Sequence, residues 1–396
     1  MSTAAFSVAR LPEIRFGAGR ITETAEVLAQ FGRKALLVTG GRSFVSTLQW
    51  KALQDGLAAR GIAWETLQVT QEPSPELVDA AVARFRNSGI DVVAGIGGGS
   101  VLDAAKAIAG LLVPGNSVMD HLEGVGRGVP YAGPALPFVA VPTTAGTGSE
   151  ATKNAVLSIQ GSDGFKKSFR DDALVARVAI VDPELLASCP KDLIAANGMD
   201  AFTQLLESYV STNASAFTDA LALSGLKAFR DGFWAAWEAG HPRQQEGYAG
   251  IAYASLMSGI TLAQAGLGAV HGLASPLGAF FPIPHGVVCG TLVSEATACN
   301  VRALRERASQ SPALKKYADV GRLLAAPQAD DTEACDALVE HLHAWTERLR
   351  LPRLQAFGVT AADVGRIVQG SRGGSMRTNP LVLDDEELAG LLRARL

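Results

Sequence analysis

The chain has 396 residues, of which 48% are hydrophobic and 19% charged, with a formal net charge of −4. That length supports two domains with substantial cores, and the mildly acidic balance excludes a field that recruits nucleic acid or an anionic membrane. No apolar run approaches the ~20 residues that span a bilayer, and Met1-Ser2-Thr3-Ala4-Ala5-Phe6 lacks the charged and apolar regions of a leader, so a cytoplasmic protein is expected.

Lys34–Thr39 is a continuous apolar run that reads as a buried strand and stops at Gly40-Gly41. Residues 44–60 place Phe44, Leu48, Leu53 and Leu57 at helical spacing. Residues 91–96 form a second buried strand that enters Gly97-Gly98-Gly99-Ser100, residues 102–112 a helix of small residues, and residues 137–142 a third strand. Apolar strands alternating with helices predict a parallel sheet covered on both faces. Beyond Cys189-Pro190 the texture changes to long Ala/Leu-rich patterns over 192–210, 215–240, 246–267, 287–305, 313–324, 333–349, 360–370 and 384–395. The expected architecture is an α/β domain over residues 1–187 followed by an all-α domain over residues 188–396. The polar stretches 302–315 and 326–332 are expected as exposed loops or surface helices.

Two loops follow predicted strand ends. Gly97-Gly98-Gly99-Ser100-Val101-Leu102-Asp103 lacks side chains where a pyrophosphate would approach, and backbone N–H groups at the start of the helix favour an anion. The bland alternative is a tight strand–helix turn with no ligand. Asp103 is expected to contact the ligand of this loop or to hold the loop. Pro142-Thr143-Thr144-Ala145-Gly146-Thr147-Gly148-Ser149-Glu150 offers hydroxyls for phosphate, ribose or amide, or else caps the next element. There is no GxxxxGK[ST], which disfavours P-loop hydrolysis.

Two of the six histidines, His271 and His285, lie fourteen residues apart in a segment punctuated by Gly and Pro. Asn197-Gly198-Met199-Asp200 opens a helical pattern that carries Asp200 and Gln204. One carboxylate and two imidazoles are enough to hold a divalent transition metal; the alternative is a pair of hydrogen-bonded histidines between domains. The four cysteines, Cys189, Cys289, Cys299 and Cys335, form no CxxC pair, which fits reduced thiols. Cys289 follows His285 by four and reads as a packing residue within reach of the site.

The two loops, Asp200 and the 269–286 segment together resemble the iron-dependent (group III) alcohol dehydrogenase family. The resemblance extends from Pro12-Glu13-Ile14-Arg15-Phe16-Gly17 to Thr378-Asn379-Pro380. It implies a dehydroquinate synthase-like architecture, with an N-terminal dinucleotide-binding domain, a C-terminal helical domain and an active site between them. It also implies a homodimer, an NAD or NADP cofactor, and interconversion of a small alcohol with its aldehyde or ketone. Lys166 stands where the family has a cofactor-contacting lysine.

Family metal sites use one aspartate and three histidines and bind Fe2+ or Zn2+. Asp200, His271 and His285 match three of these, but Gln204 stands for one ligand histidine. Ser275 replaces a further histidine near the reacting carbonyl. The resemblance therefore implies a metal held by Asp200, Gln204, His271 and His285, with His271, His285 and Ser275 around the reacting atoms. The departures leave open a metal-independent reductase of an acidic or enone substrate, similar to maleylacetate reductases, or a nucleotide-binding protein with weakened catalysis. A lyase of the dehydroquinate synthase type is a further rival. The first strand ends in Gly40-Gly41-Arg42-Ser43, with no acid to bond a ribose 2′-OH. Arg42 and Ser43 suit a 2′-phosphate, so NADP is expected to be preferred.

Overall fold

The computed structural model describes residues 5–396; residues 1–4, on which the leader reading partly rests, lie outside the described residues. The N-terminal half contains β1 (Glu13–Phe16), α1 (Thr24–Ala29), β2 (Lys34–Thr39), α2 (Leu48–Ala59), β3 (Ala63–Gln68), α3 (Pro75–Phe85), β4 (Val92–Gly97), α4 (Gly99–Leu111), β5 (Phe138–Pro142), β6 (Asn154–Ile159), β7 (Phe165–Arg170) and β8 (Val178–Val181). Six strands form one parallel sheet in the order β1-β8-β5-β4-β2-β3, and β6 and β7 form a separate antiparallel pair. Successive side chains of a strand face opposite ways. In β2 and β4, Leu36, Val38 and Val93 therefore pack into a core with α3 and α4, while Ala35, Leu37, Val92, Ala94 and Ile96 pack into another with α1 and α2. Both faces are dry, which is why these strands are uninterrupted apolar runs.

The chain leaves β2 for β3 on one side and returns to β4 on the other. That reversal leaves a crevice beyond the carboxyl ends of β2 and β4, the usual ligand position in open α/β sheets. Gly40 and Gly97 lie at its two lips.

The second half is helical: α5 (Lys191–Val210), α6 (Ala216–Trp237), α7 (Gln244–Ala265), α8 (Ala269–Phe280), α9 (His285–Arg307), α10 (Pro312–Leu324), α11 (Asp331–Arg348), α12 (Val364–Gly370) and α13 (Asp385–Arg393). Residues 302–307 belong to α9 and 312–315 to α10, so only 308–311 of the expected polar stretch is loop.

Five strands escape the sequence reading. β3, β6 and β7 carry polar residues on their wet sides, as in Phe165-Lys166-Lys167-Ser168-Phe169-Arg170, and β1 and β8 are only four residues long. The larger difference is α8, where Gly272, Pro276 and Gly278 suggest a broken segment but the backbone is helical across Pro276. Proline costs a helix one N–H bond and some crowding. Here ten of the twelve residues are buried, and tertiary packing outweighs propensity.

The halves meet without side chains at one point. A Cβ on Gly259 of α7 would fall 2.2 Å from the Gly148 carbonyl oxygen. The β6–β7 hairpin touches both halves: Ser158 N–H donates to the Pro73 carbonyl at 3.0 Å, and Gly161 N–H donates to the Ala279 carbonyl of α8 at 3.0 Å.

Candidate active site

The two glycine- and threonine-rich loops lie side by side. Thr143 N–H donates to the Gly97 carbonyl at 2.9 Å. A Cβ on Gly98 would lie 3.1 Å from Thr144 Oγ1, and one on Gly99 would lie 2.8 Å from Thr147 Oγ1. Gly98 caps α4 with no side-chain acceptor, so the first N–H groups of this helix, at Gly99 and Ser100, are left for an external anion. Asp103 points into the protein instead: Ser149 Oγ donates to its Oδ1 at 2.5 Å, and Lys106 Nζ lies 3.7 Å away. Asp103 thereby ties α4 to the threonine-rich loop. Lys106 is fully buried and donates to the carbonyls of Ser149 at 2.8 Å and Asn154 at 2.7 Å; burial lowers its pKa to about 8. Arg42 and Ser43 are exposed on the lip beyond β2.

Across the crevice, four side chains converge from three helices. Asp200 comes from the middle of α5, His271 from the first turn of α8, His285 from the first residue of α9, and Cys289 from one turn further along α9. One donor atom from each lies within 4.8 Å of all the others. Asp200 Oδ1 is 3.2 Å from His271 Nε2 and 3.7 Å from His285 Nε2. Asp200 is 1% exposed, yet its Oδ2 has no hydrogen-bond partner among the described residues, and neither does His285 Nδ1. A buried carboxylate oxygen without a partner is costly. A divalent cation between these donors removes that cost, so the residues present fit a metal.

Glu207, seven residues after Asp200 on α5, is the organising carboxylate that sequence reasoning missed. Its Oε2 accepts the Gly268 N–H at 2.9 Å and lies 2.7 Å from His271 Nδ1; its Oε1 accepts the Val270 N–H at 2.7 Å. Asn379 Oδ1 accepts the Ala269 N–H at 3.0 Å. Together they satisfy the orphan donors that begin α8, and Glu207 fixes the proton on His271 Nδ1, turning the Nε2 lone pair toward Asp200. The signal was available, since a two-turn spacing from Asp200 puts Glu207 on the same helix face.

Electrostatics without a cation follow from burial and these partners. Burial opposes ionisation of Asp200, but His285 and His271 hold its pKa down to about 2. Burial likewise disfavours the charged form of His271, but Cys289, Asp200 and Glu207 raise its pKa well above the ordinary value. Burial, with Lys166 and His271 adding positive charge, lowers His285 to about 4 despite Asp200, leaving its imidazole neutral. Burial pushes the Cys289 thiol up to about 12.

The remaining expected residues sit nearby in other company. Gln204 is buried with its Oε1 2.9 Å from Ser258 Oγ of α7. Ser275 Oγ donates to the Lys166 carbonyl at 3.1 Å. Lys166 Nζ pairs with Glu72 Oε1 at 2.6 Å, and Ser158 Oγ donates to Glu72 Oε2 at 2.9 Å. Burial opposes ionisation of Glu72, but Lys166 brings its pKa below the usual value.

Comparison with known proteins agrees with this layout. Residues 12–183 match the model of the iron-containing alcohol dehydrogenases, and residues 194–396 match that of the C-terminal domain of the same family. Alcohol dehydrogenase 4 of Saccharomyces cerevisiae (strain YJM789) is 31% identical over 383 residues, covering 96% of this chain and 95% of the yeast protein. Lactaldehyde reductase of Escherichia coli (strain K12) is 31% identical, covering 89% and 90%. The crystal structure of sulfoacetaldehyde reductase from Bifidobacterium kashiwanohense in complex with NAD+ superposes with a TM-score of 0.83 at 26% identity, covering 99% of each chain. With both halves matched in order and each crevice wall in place, the chain belongs to the iron-containing alcohol dehydrogenase family.

Proposed function

We propose that the protein is an NADP-preferring oxidoreductase that interconverts a small alcohol with its aldehyde or ketone, assisted by a divalent metal held by Asp200, His271 and His285. The observation that carries this reading is the buried Asp200 carboxylate, whose Oδ1 lies 3.2 Å and 3.7 Å from the Nε2 atoms of His271 and His285 and whose Oδ2 has no hydrogen-bond partner among the described residues. A nicotinamide dinucleotide supplies the hydride acceptor or donor, and a bound Fe2+ or Zn2+ supplies Lewis acidity toward the substrate oxygen.

The chain's own residues do the rest. The free N–H groups beginning α4 hold the pyrophosphate, while the absence of side chains at Gly97, Gly98 and Gly99 lets it approach. Thr143, Thr144 and Thr147 line the neighbouring loop and orient the ribose and nicotinamide, while Ser149, expected to join them, is buried with its hydroxyl held by Asp103 and Lys106 and fixes the loop against α4. Gly40, Gly41, Arg42 and Ser43 receive the adenosine end. Arg42 and Ser43 bind the 2′-phosphate through charge-assisted hydrogen bonds. Glu207 holds the His271 proton at Nδ1, and Ser275 pins the hairpin carrying Lys166 over the pocket. The metal-dependent reading is favoured over the metal-independent reductase because the latter leaves Asp200 Oδ2 buried without a partner. The protein is read as a cytoplasmic homodimer, supported by its four cysteines being free thiols and by β1 forming one edge of the sheet.

The experiment is oxidation of NADPH and of NADH in the presence of a panel of small aldehydes. The expected result is turnover with a higher kcat/KM for NADPH, and a loss of that preference of about 10-fold or more in Arg42→Ala, from one charged contact worth about 1.5–3 kcal/mol. A large preference for NADH overturns the cofactor assignment, and no turnover on any member overturns the activity.

A further inference from the structure

Asp200, His271 and His285 supply three of the four ligands of the family's metal, but this chain lacks the histidine expected one turn after Asp200. Gln204 holds that position with its oxygen engaged to Ser258 Oγ. Cys289 is fully buried, and its Sγ lies 3.6 Å from His271 Nε2 and 3.8 Å from His285 Nε2. Around one tetrahedral cation, bonds of about 2.0–2.1 Å to N or O and about 2.3 Å to S give edges of about 3.3–3.4 Å between N and O and about 3.5–3.6 Å between N and S. The four separations, 3.2 and 3.7 Å from Asp200 and 3.6 and 3.8 Å from Cys289, already lie near those edges. One ligand atom from each of the four side chains lies within 4.8 Å of the others, and the second carboxylate oxygen of Asp200, Oδ2, is buried with no hydrogen-bond partner among the described residues.

We propose that Cys289 is the fourth ligand of this metal, bound as a thiolate, so that the site is Asp-His-His-Cys and selects Zn2+ over harder divalent cations. This rests on the reading that Asp200, His271 and His285 hold a metal. Binding breaks the S–H bond, forms an S–metal bond and releases one proton to solvent, with no change of oxidation state. A thiolate is a softer donor than the imidazole it replaces, which moves preference away from Mg2+ and Mn2+. The substitution takes a different route through the fold: the family ligand one turn along α5 is exchanged for one that is one turn along α9.

The test strips the full-length protein with a chelator and reloads it with Co2+. Visible d–d absorption reports that Co2+ is bound, and a near-ultraviolet charge-transfer band reports a cobalt–thiolate bond. Both are expected in the native protein. Cys289→Ser should keep the d–d bands, lose the charge-transfer band, and bind Zn2+ at least about 10-fold more weakly in competition with a chromophoric chelator. Gln204→Ala should retain the charge-transfer band, which keeps the test decisive if Cys289→Ser does not fold. Native protein showing d–d bands without charge transfer overturns the Cys289 assignment and leaves the three-ligand metal reading intact. Native protein that binds no Co2+ overturns both.

Discussion

Glu207 combines two duties in one carboxylate. It accepts two backbone N–H groups that begin α8 and the Nδ1 proton of the imidazole three residues into that segment. Glu207→Gln keeps the shape but removes the charge, and its amide presents one acceptor where two oxygens now serve. Loss of such an outer partner of a metal-ligating histidine costs about 10–100-fold in metal affinity or activity. The expected outcome is a fall of that size in Zn2+ affinity and in kcat/KM, with the far-ultraviolet circular dichroism unchanged. Equal metal affinity in the two proteins would show that His271 does not depend on Glu207 for its orientation.

At the scale of elements, the backbone contact between Gly148 and Gly259 sets how closely the threonine-rich loop approaches α7. A methyl at Gly259 meets a carbonyl oxygen at 2.2 Å, and the group it meets is main chain and cannot rotate away. Gly259→Ala should therefore lose about 1–3 kcal/mol or more, read as a lower thermal midpoint. Gly365 in α12 has nothing within 4 Å of its virtual Cβ, so Gly365→Ala should hold or raise the midpoint, by up to about 1 kcal/mol of helix propensity. If both variants behave alike, the contact is softer than the geometry implies. Strands with two dry faces, β2, β4 and β5, and most helices of the second half were legible in the sequence, whereas β3, β6 and β7, each with a wet side, were not. α8 was not, because its glycines and proline carry local signals that only burial on nearly every side overrules. In the candidate site, His271 and His285 stood out as two of only six histidines and Asp200 by its place in the helical pattern, and the structure brings the three together. Cys289 looked like packing because only His285 among its site neighbours is close in sequence, while Asp200 and His271 come from α5 and α8.

For the molecule as a whole, a buried acid next to the cofactor crevice sets part of the dependence of stability on pH. Burial raises the Glu150 pKa from an ordinary 4.5 to about 7, although the backbone and Lys106 oppose the shift. Between those values the folded state binds more protons at Glu150 than the unfolded chain does, so this contribution declines as pH rises from 4.5 through 7. Its ceiling is about 3.5 kcal/mol, at about 1.4 kcal/mol for each unit of pKa. Glu150→Gln removes it. The denaturation midpoint of the variant relative to the native protein should climb between pH 5 and pH 8, whereas a constant offset would mean that Glu150 does not titrate in that range.

The β6–β7 hairpin is bonded on one side to Pro73 and Glu72 and on the other to Ser275 and Ala279 of α8. It is thus a strut between the two halves of the chain. Its tip around Gly161 and Gly164 carries the bond to Ala279, so lengthening or shortening that tip would change the distance it holds between the Glu72–Pro73 segment and α8 without altering Asp200, His271 or His285.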